Sequence, residues 1–548
     1  MEKTKENNKK ILIMTIFFAI FIAIFSFALT PIEFQNDTFY TIKIGEKIAS
    51  DGIDMRDPFS WHENLAYTYP HWLYDFLTFK VYSLGGFIGV YIATGIMSSI
   101  LGITLFLCYK KTSNSTLLSF GVSMLTMFLL RGFIAARAQL VTFILFALEY
   151  VIIEKFLENK KIINVILLFL ISLLIANIHV AVWPFFFILF LPNIGAQIWI
   201  WLKRKLYVDN SIVKAYDREI TKLKKKNGDS EKILELSKKR DLEIVNRNER
   251  EKFYDLKLNN PYKILLEKNK NAILLVPIML LCLIAGFLTP LGPNTTFTYL
   301  IRTVVGNTTQ AISEHLPIVP INRPTFIIFT VLLTWLLFFN NIKIKLSDFF
   351  LMLGLLLLTL ISGRQESMFI LMGSFVFLRL LCNFIKSQET APNIDNLIIK
   401  SKMSYLYIAI FILLIILPTS AKNLDSSFVN EELYPVDAAK YIKENLDVNN
   451  IRLFNEYNYG SYLLMNDIPV FIDSRADLYA PEFNPGCTVF DDFINTSSVD
   501  IYPEETFEKY NITHIILENN GAINTIVSGS HDYNVLYTDD YFTIYERI

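Results

Sequence analysis

Residues 31–77 determine how the rest of the chain is interpreted: PIEFQNDTFYTIKIGEKIASDGIDMRDPFSWHENLAYTYPHWLYDFL. This segment is polar, is rich in carboxylates and directly follows the first long apolar run of the chain. It also contains two of the six histidines and two of the six tryptophans. Outside this segment and one charged insertion, most of the sequence before residue 420 has the composition of helices embedded in lipid. The segment is therefore expected to be a polar loop of a membrane protein.

Composition supports many membrane spans. Of the 548 residues, 53% are hydrophobic, and the mean hydropathy is +0.38, which excludes an ordinary water-soluble protein of this size. A lipid core is crossed by about 20 apolar residues in a helix, because the backbone has no water to bind there. About eleven runs meet or approach this length: 11–30, 86–108, 114–132, 138–157, 162–178, 183–202, 271–289, 325–341, 347–362, 367–385 and 404–420.

The distribution of lysine and arginine predicts the orientation, since cytoplasmic loops carry an excess of them. With the N-terminus inside, every second turn is basic, and loop 31–85 shares the outer side with the C-terminal tail. The first run is expected to stay as a span, because Ala-Leu-Thr-Pro at 28–31 is a poor cleavage site. We expect a multi-pass protein of the plasma or inner membrane with a cytoplasmic N-terminus and an extracytoplasmic C-terminus.

One charged insertion interrupts the apolar runs. Residues 203–270 contain 20 Lys/Arg and 12 Asp/Glu, in a pattern typical of two charged helices that turn at Asn227-Gly228. A solvated hairpin along the surface of membrane lipids is favoured over a nucleic-acid site.

The C-terminal tail has a different composition. Residues 421–548 contain 7 Lys/Arg and 22 Asp/Glu. Short apolar stretches such as IRLFN, PVFID and THIILE predict strands, and helical stretches separate them. We predict a polytopic α-helical membrane domain at 1–420, followed by an extracytoplasmic α/β domain at 421–548 with a partly parallel sheet. No GxGxxG or GxxxxGK[ST] motif supports a nucleotide site there.

Ionisable side chains gather at the predicted outer ends of the spans, where they are costly and tend to be functional. The candidates are Glu33, Asp37, His71, Arg137, His179, Glu314 and Arg364. Because they come from several helices on one side of the membrane, we expect them to share a cavity. A carboxylate can deprotonate a hydroxyl, and arginine forks bind phosphate. This set suits a transferase whose sugar donor is a lipid phosphate.

Structural interpretations of these residues compete with the catalytic one. Asp37 precedes a predicted amphipathic helix and could cap it, and Glu33 could mark the lipid–water interface. Arg137 and Arg364 could extend from helix ends to water, although their outer position runs against the positive-inside bias. Asp473 and Asp477 in FIDSRADLY are explained by strand termination and turn capping.

No HExxH, CxxC or closely spaced histidine pair is present, so the sequence does not indicate a dedicated metal site.

An ordered set of motifs resembles bacterial membrane glycosyltransferases of the GT-C superfamily, of the protein mannosyltransferase and aminoarabinose transferase type. The motifs are DTFYTIKIGEKIASDGIDMRDPFSW and HWLYDFL, ARAQL at 136–140, ANIH at 176–179, LTPLG at 288–292, SEHLP at 313–317 and SGRQESMF at 362–369. FNEYNYGSYLL and VFIDSRADLY resemble the soluble domain of these proteins. The resemblance covers most of the chain outside 203–270.

The resemblance implies a polyprenyl-phosphate-linked sugar donor, a lipid, glycan or protein acceptor in the cell envelope, and transfer on the extracytoplasmic face. Asp37 would be the base, and Arg137, His179 and Arg364 would line the cavity. Thr38-Phe39-Tyr40-Thr41 lacks the histidine that follows the acid in relatives, which leaves the use of a divalent cation open.

Two other functions compete with the transferase. A transporter of lipid-linked substrates predicts internal repeats and charges near mid-membrane, and the sequence has neither. A non-enzymatic sensor or scaffold predicts that the acidic tail is a binding module and that Asp37 is dispensable.

Overall fold

The computed structural model describes residues 2–207, 211–225, 229–258, 263–306, 313–338, 342–387, 395 and 427–548. The part before residue 388 is almost entirely helical. Its helices are α1 (Glu2–Ala28), α2 (Asn36–Asp51), α3 (Trp72–Ser113), α4 (Thr116–Leu129), α5 (Ala138–Asn159), α6 (Ile162–Ile178), α7 (Trp183–Ile188), α8 (Leu191–Tyr207), α9 (Ser211–Lys225), α10 (Ser230–Leu258), α11 (Leu275–Leu283), α12 (Phe297–Val305), α13 (Pro324–Phe338), α14 (Leu346–Ile361) and α15 (Glu366–Ser387). Two short parallel strands, β1 (Ile264–Leu265) and β2 (Ile344–Lys345), pair beside them.

Several of these helices suit a membrane. Within the described residues, those long and apolar enough to cross one are Lys9–Ala28, Trp72–Ser113, Val180–Lys205, Lys270–Phe287 and Gly363–Ser387. Shorter apolar helices of 10–17 residues are α4, α6, α13 and α14. Each predicted span in the described part of the chain coincides with helical structure, whereas 404–420 lies outside it. The protein is a multi-pass membrane protein, and the count of eleven spans remains a prediction.

Helix α3 begins well before the span that the sequence predicts at 86–108. It runs from Trp72 to Ser113 and is broken at Gly86, whose φ of 57° is unfavourable for other residues. The apolar run therefore starts at the break, and the turns before it belong to the polar loop. This extension carries the HWLYD motif at the start of α3.

The charged insertion forms the two predicted helices, α9 and α10, which pack against each other. Arg240 and Asp217 form an ion pair of 3.5 Å between them. The predicted turn at Asn227-Gly228 lies outside the described residues.

The described C-terminal region (residues 427–548) is an α/β unit. Its helices are α16 (Val436–Asn445), α17 (Tyr457–Met465), α18 (Val489–Ser497), α19 (Pro503–Lys509) and α20 (Ala522–Ser528), and its strands are β3 (Leu453–Phe454), β4 (His514–Glu518), β5 (Tyr533–Thr538) and β6 (Phe542–Arg547). The strand order is β3-β4-β6-β5. Only the β3–β4 pair is parallel, so the sheet is partly parallel, as the sequence predicts.

The predicted strand PVFID at 469–473 is wrong. Val470 forms only an isolated parallel bridge with Ser60, and beyond it a side chain binds the backbone: Phe471 N donates to Asn455 Oδ1 at 2.9 Å, and Asn455 Nδ2 donates to Ile472 O at 2.7 Å. Gly460 brings α17 against the same segment, since a Cβ there would lie 2.0 Å from Ile472 O. The apolar pattern reflects burial, because Phe471 and Ile472 are 0% exposed.

Helix α2 lies between α3 and the C-terminal region. A Cβ at Gly45 would lie 2.1 Å from the backbone oxygen of Asp75, so the two helices touch through their backbones. On the other side, the Phe39 ring packs edge-on against Tyr434 and Tyr462, with centroids 4.9 and 5.2 Å away. Helix α2 is thereby fixed between the helices of the membrane part and the C-terminal region.

A buried ion cluster also ties the opening loop to the C-terminal region. Arg475 donates to Asp57 Oδ1 at 2.6 Å and to Asp473 Oδ2 at 2.7 Å, and Tyr479 OH donates to Asp473 Oδ2 at 2.5 Å. The side chain of Arg475 is 1% exposed, and those of Asp57 and Asp473 are 0% exposed. Removing one partner would leave a buried charge without full compensation.

Gly45→Ala is expected to destabilise the protein, because the added methyl group meets the backbone of α3. Overpacking of this kind costs about 1–3 kcal/mol, and the thermal unfolding midpoint in detergent should fall. Gly85→Ala is the matched control, since a Cβ at Gly85 meets nothing within 4 Å. Equal midpoints for the two variants would contradict the close approach of α2 and α3.

Asp57→Ala is expected to cost about 3–5 kcal/mol, as breaking a buried ion pair does. Asp54→Ala is the control, because Asp54 is 45% exposed in its pair with Lys47, and exposed pairs contribute at most about 1 kcal/mol. Thermal unfolding and limited proteolysis of the C-terminal region measure both. A similar small loss for the two variants would show that the buried cluster does not hold the region in place.

Candidate functional site

A cavity of about 540 Å³ lies where the opening loop, the ends of several helices and the C-terminal region meet. The predicted site residues that line it are Asp37, His71, Arg137, His179, Glu314 and Arg364. Glu33 is exposed and is not among the lining residues, so the structure does not bring it to the others. The helix ends thus meet in one cavity, as the pattern of ionisable residues predicts.

Asp37 lies in the first turn of α2 and does not cap it. The N-cap position is Gln35, which makes no capping bond through its side chain. The Asp37 carboxylate instead forms an ion pair with Arg137, which precedes α5. The same guanidinium contacts Glu314 Oε1 at 3.4 Å. Arg137 therefore bridges two carboxylates at the cavity wall.

His71 stands just before α3, where that helix meets α2. Its Nδ1 lies 3.1 and 3.2 Å from the two carboxylate oxygens of Asp75, one turn later. Its Nε2 lies 3.3 Å from the hydroxyl of Tyr40 on α2. Burial lowers the pKa of His71, but the Asp75 carboxylate outweighs that effect and the pKa is raised.

His179 follows the end of α6 and lies close to His71. Val180 N donates to Pro70 O at 3.0 Å, which joins the two chain segments, and the two imidazole centroids are 6.1 Å apart. His179 is 5% exposed, and its Nδ1 has no hydrogen-bond partner in the described part of the protein. Burial, with Arg364 second, lowers its pKa well below the usual value, so the neutral form is favoured.

Arg364 enters the cavity from a short turn, Gly363–Gln365, before α15. Gly363 N donates to Leu316 O at 2.9 Å, which places this turn beside the one at Ser313–His315. Arg364 Nη1 lies 3.4 Å from His315 Nε2, and Arg364 forms no ion pair with any carboxylate in the described ranges. Arg364 is thus available to an anion, whereas Arg137 is already paired.

Several residues of this site are not among the predicted site residues. Tyr40 and Tyr457 line the cavity, Asp75 is buried behind His71, and Asp477, which the sequence pattern attributes to turn capping, comes from the C-terminal region and lines the cavity. Burial raises the pKa of Asp477, and His71 opposes that effect. HWLYD carried one available signal, because its acid lies one helical turn after a histidine.

The described residues contain no group of three or more His, Cys, Asp and Glu side chains that could hold a metal ion.

One of three comparisons with known proteins finds chains of similar fold. No protein-family model matches the chain, and the search of curated proteins finds no significant match. The structure is similar to the archaeal oligosaccharyltransferase AglB from Archaeoglobus fulgidus, solved with an inhibitory peptide and a dolichol-phosphate, with a TM-score of 0.50 and 13% identity over 92% of this chain and 69% of that one. The Archaeoglobus fulgidus oligosaccharyltransferase in the apo form gives a TM-score of 0.49 and 11% identity over 92% and 69%.

At this identity the first similarity concerns the fold alone. The resemblance that the sequence motifs suggest, to membrane glycosyltransferases of the GT-C superfamily, is confirmed at that level: the chain has a GT-C-like fold with an α/β region at its C-terminal end.

Proposed function

We propose that this protein is a membrane glycosyltransferase that moves a sugar from a polyprenyl-phosphate-linked donor to a cell-envelope acceptor on the extracytoplasmic face. The observation that carries the proposal is the cavity that collects Asp37, His71, Arg137, His179 and Arg364 in a chain with a GT-C-like fold. It offers carboxylate, guanidinium and imidazole groups together. These groups suit a hydroxyl acceptor and a phosphate donor.

Arg364 is the first candidate for the donor phosphate. It lines the cavity, and its guanidinium contacts the imidazole of His315. Burial and Arg364 itself lower the pKa of His315, which favours the neutral form of that imidazole. A guanidinium without a carboxylate partner in the described residues can give its fork to phosphate oxygens. Phe185, Ile188 and Met368 line the same cavity and provide an apolar side for a lipid chain.

Asp37 is the candidate base, and Arg137 controls its availability. A phosphate that reaches Arg137 would compete with Asp37 and Glu314 for one guanidinium. Release of Asp37 from the ion pair would leave its carboxylate free to accept the proton of an acceptor hydroxyl. Donor binding would therefore prepare the base for the acceptor.

The acceptor is proposed to approach from the C-terminal region. Tyr457, Ser474 and Asp477 of that region line the cavity opposite the helices of the membrane part. Tyrosine faces suit sugar rings, and the hydroxyl and carboxylate suit their hydroxyl groups. In this proposal the membrane part, 1–420, binds the donor, and the extracytoplasmic domain, 421–548, orients a lipid, glycan or protein acceptor.

Asp37→Asn is expected to abolish transfer, because the amide cannot accept the acceptor proton. The loss should be about 100-fold or more, the typical contribution of a general base. Purified protein in nanodiscs with a panel of radiolabelled polyprenyl-phosphate sugars and envelope lipids measures the rate. Asp51→Asn is the control, since Asp51 is an exposed residue at the other end of α2. Retained transfer by Asp37→Asn, with normal folding, would remove Asp37 from the mechanism.

Arg364→Gln is expected to weaken binding of polyprenyl phosphate about tenfold or more, since a charge-assisted hydrogen bond contributes about 1.5–3 kcal/mol. Binding to protein in nanodiscs is measured by microscale thermophoresis with a fluorescent short-chain polyprenyl phosphate. Arg131→Gln is the matched control, because Arg131 is exposed on a nearby turn and its guanidinium lies over the Phe128 ring. An equal affinity for both variants would show that Arg364 does not hold the phosphate.

A further inference from the structure

A buried acid–imidazole pair stands at the cavity wall. Asp75 is 0% exposed, and both of its carboxylate oxygens lie within 3.2 Å of His71 Nδ1. Asp75 does not line the cavity, whereas His71 does. The acid is therefore placed behind the imidazole, on the side away from a substrate.

This arrangement fixes the roles of the two ring nitrogens. A carboxylate accepts a hydrogen bond, so Nδ1 carries a proton toward Asp75 in either charge state of the ring. Nε2 is then the nitrogen that gains or loses a proton, and it faces Tyr40 OH at 3.3 Å. A group bound in the cavity would meet Nε2, with Asp75 holding the ring in orientation.

The groups around His71 favour its charged form. Those that face it are Asp37 and Tyr40 on α2, Asp75 on α3, Arg137 before α5, His179 after α6 and Asp477 of the C-terminal region. Burial lowers the pKa of His71, but Asp75, followed by Asp477 and Asp37, raises it. The neighbouring His179 has no such acid, and its pKa is lowered. The cavity therefore favours the charged form of His71 and the neutral form of His179.

We propose that His71 is the acid that gives a proton to the phosphate leaving group, and that Asp75 holds the His71 ring in position and favours its charged form. This inference rests on the proposed function and adds to it a second proton-carrying residue. His71 would touch the phosphate and is the catalytic residue of the pair. Asp75 acts through His71 and is a positioning residue.

In the proposed step one bond forms, one bond breaks and two protons are transferred. The acceptor oxygen forms a bond to the anomeric carbon, and the bond from that carbon to the phosphate oxygen breaks with its electron pair on the phosphate. Asp37 takes the acceptor proton, and His71 Nε2 gives its proton to the leaving phosphate. Asp37 then releases its proton to water, and His71 regains one from water. The net change moves one proton from the acceptor to the polyprenyl phosphate.

The pH profile of transfer tests the pair. The imidazolium is required, so the rate of the wild-type protein should fall as pH rises through the pKa of His71. Asp75→Asn keeps a hydrogen-bond acceptor but removes the charge, and it should move this alkaline limb to lower pH by about 1–3 units. Asp75→Glu should restore the limb toward its wild-type position. His71→Gln should remove the limb and lower the plateau rate about 100-fold or more.

A merely structural role would give a different result. It would lower the plateau without moving the limb, and that outcome for Asp75→Asn would overturn the proposal. Wild-type transfer and an unchanged profile in His71→Gln would overturn it too. Thermal unfolding checks that each variant is folded, and the pH profile of His71→Gln decides the proposal if Asp75→Asn is not.

If the proposed function is wrong, the wild-type protein gives no product with any donor tested. Binding of the fluorescent polyprenyl phosphate then decides the inference. Affinity that rises below the pKa of His71 in the wild-type protein, and loses that rise in His71→Gln, supports the pair. The same pH dependence in both proteins overturns it.

Discussion

The contact of α2 with α3 at Gly45 is the constraint on which the site depends. No other residue fits there, because any side chain would enter the backbone of the first turns of α3 at Asp75. This contact sets the distance between the start of α2, which carries Asp37, and the start of α3, which His71 precedes. The aromatic packing of Phe39 against the C-terminal region fixes the opposite side of α2. One short helix thus joins the membrane part to the C-terminal region and places the acid between them.

Charge is distributed in the cavity so that similar residues differ in what they can do. Arg137 is held by Asp37 and Glu314, while Arg364 has no carboxylate partner in the described part of the chain. His71 has Asp75 behind it, whereas the charged groups that act on His179 are Arg364, His71 and Arg137. Electrostatic effects are stronger in surroundings of low polarity. Small differences in the placement of these side chains therefore change which charge form each one favours. The proposed donor and acceptor roles follow from those states.

Sequence patterns predicted the lining residues that membrane physics makes unusual. Arg137, His179 and Arg364 stand at helix ends where charge is costly, and each lines the cavity. Other residues carried no such signal. Asp473 and Asp477 look alike in FIDSRADLY, yet Asp473 binds Arg475 in the core and Asp477 faces the cavity. The difference between these two aspartates depends on the path of the turn that carries them. A single sequence does not specify that path, because tertiary contacts determine it. The strand predicted at PVFID failed for a related reason, since its backbone pairs only at Val470 and the Asn455 side chain binds the residues after it.

The most direct measurement is a cryo-EM structure of the protein in nanodiscs with bound polyprenyl phosphate. We expect phosphate density within hydrogen-bond reach of Arg364 and of His71 Nε2, the lipid chain along the apolar side of the cavity, and Asp37 separated from Arg137. Phosphate density at another site, or an occupied cavity in which no phosphate oxygen meets either residue, would contradict it.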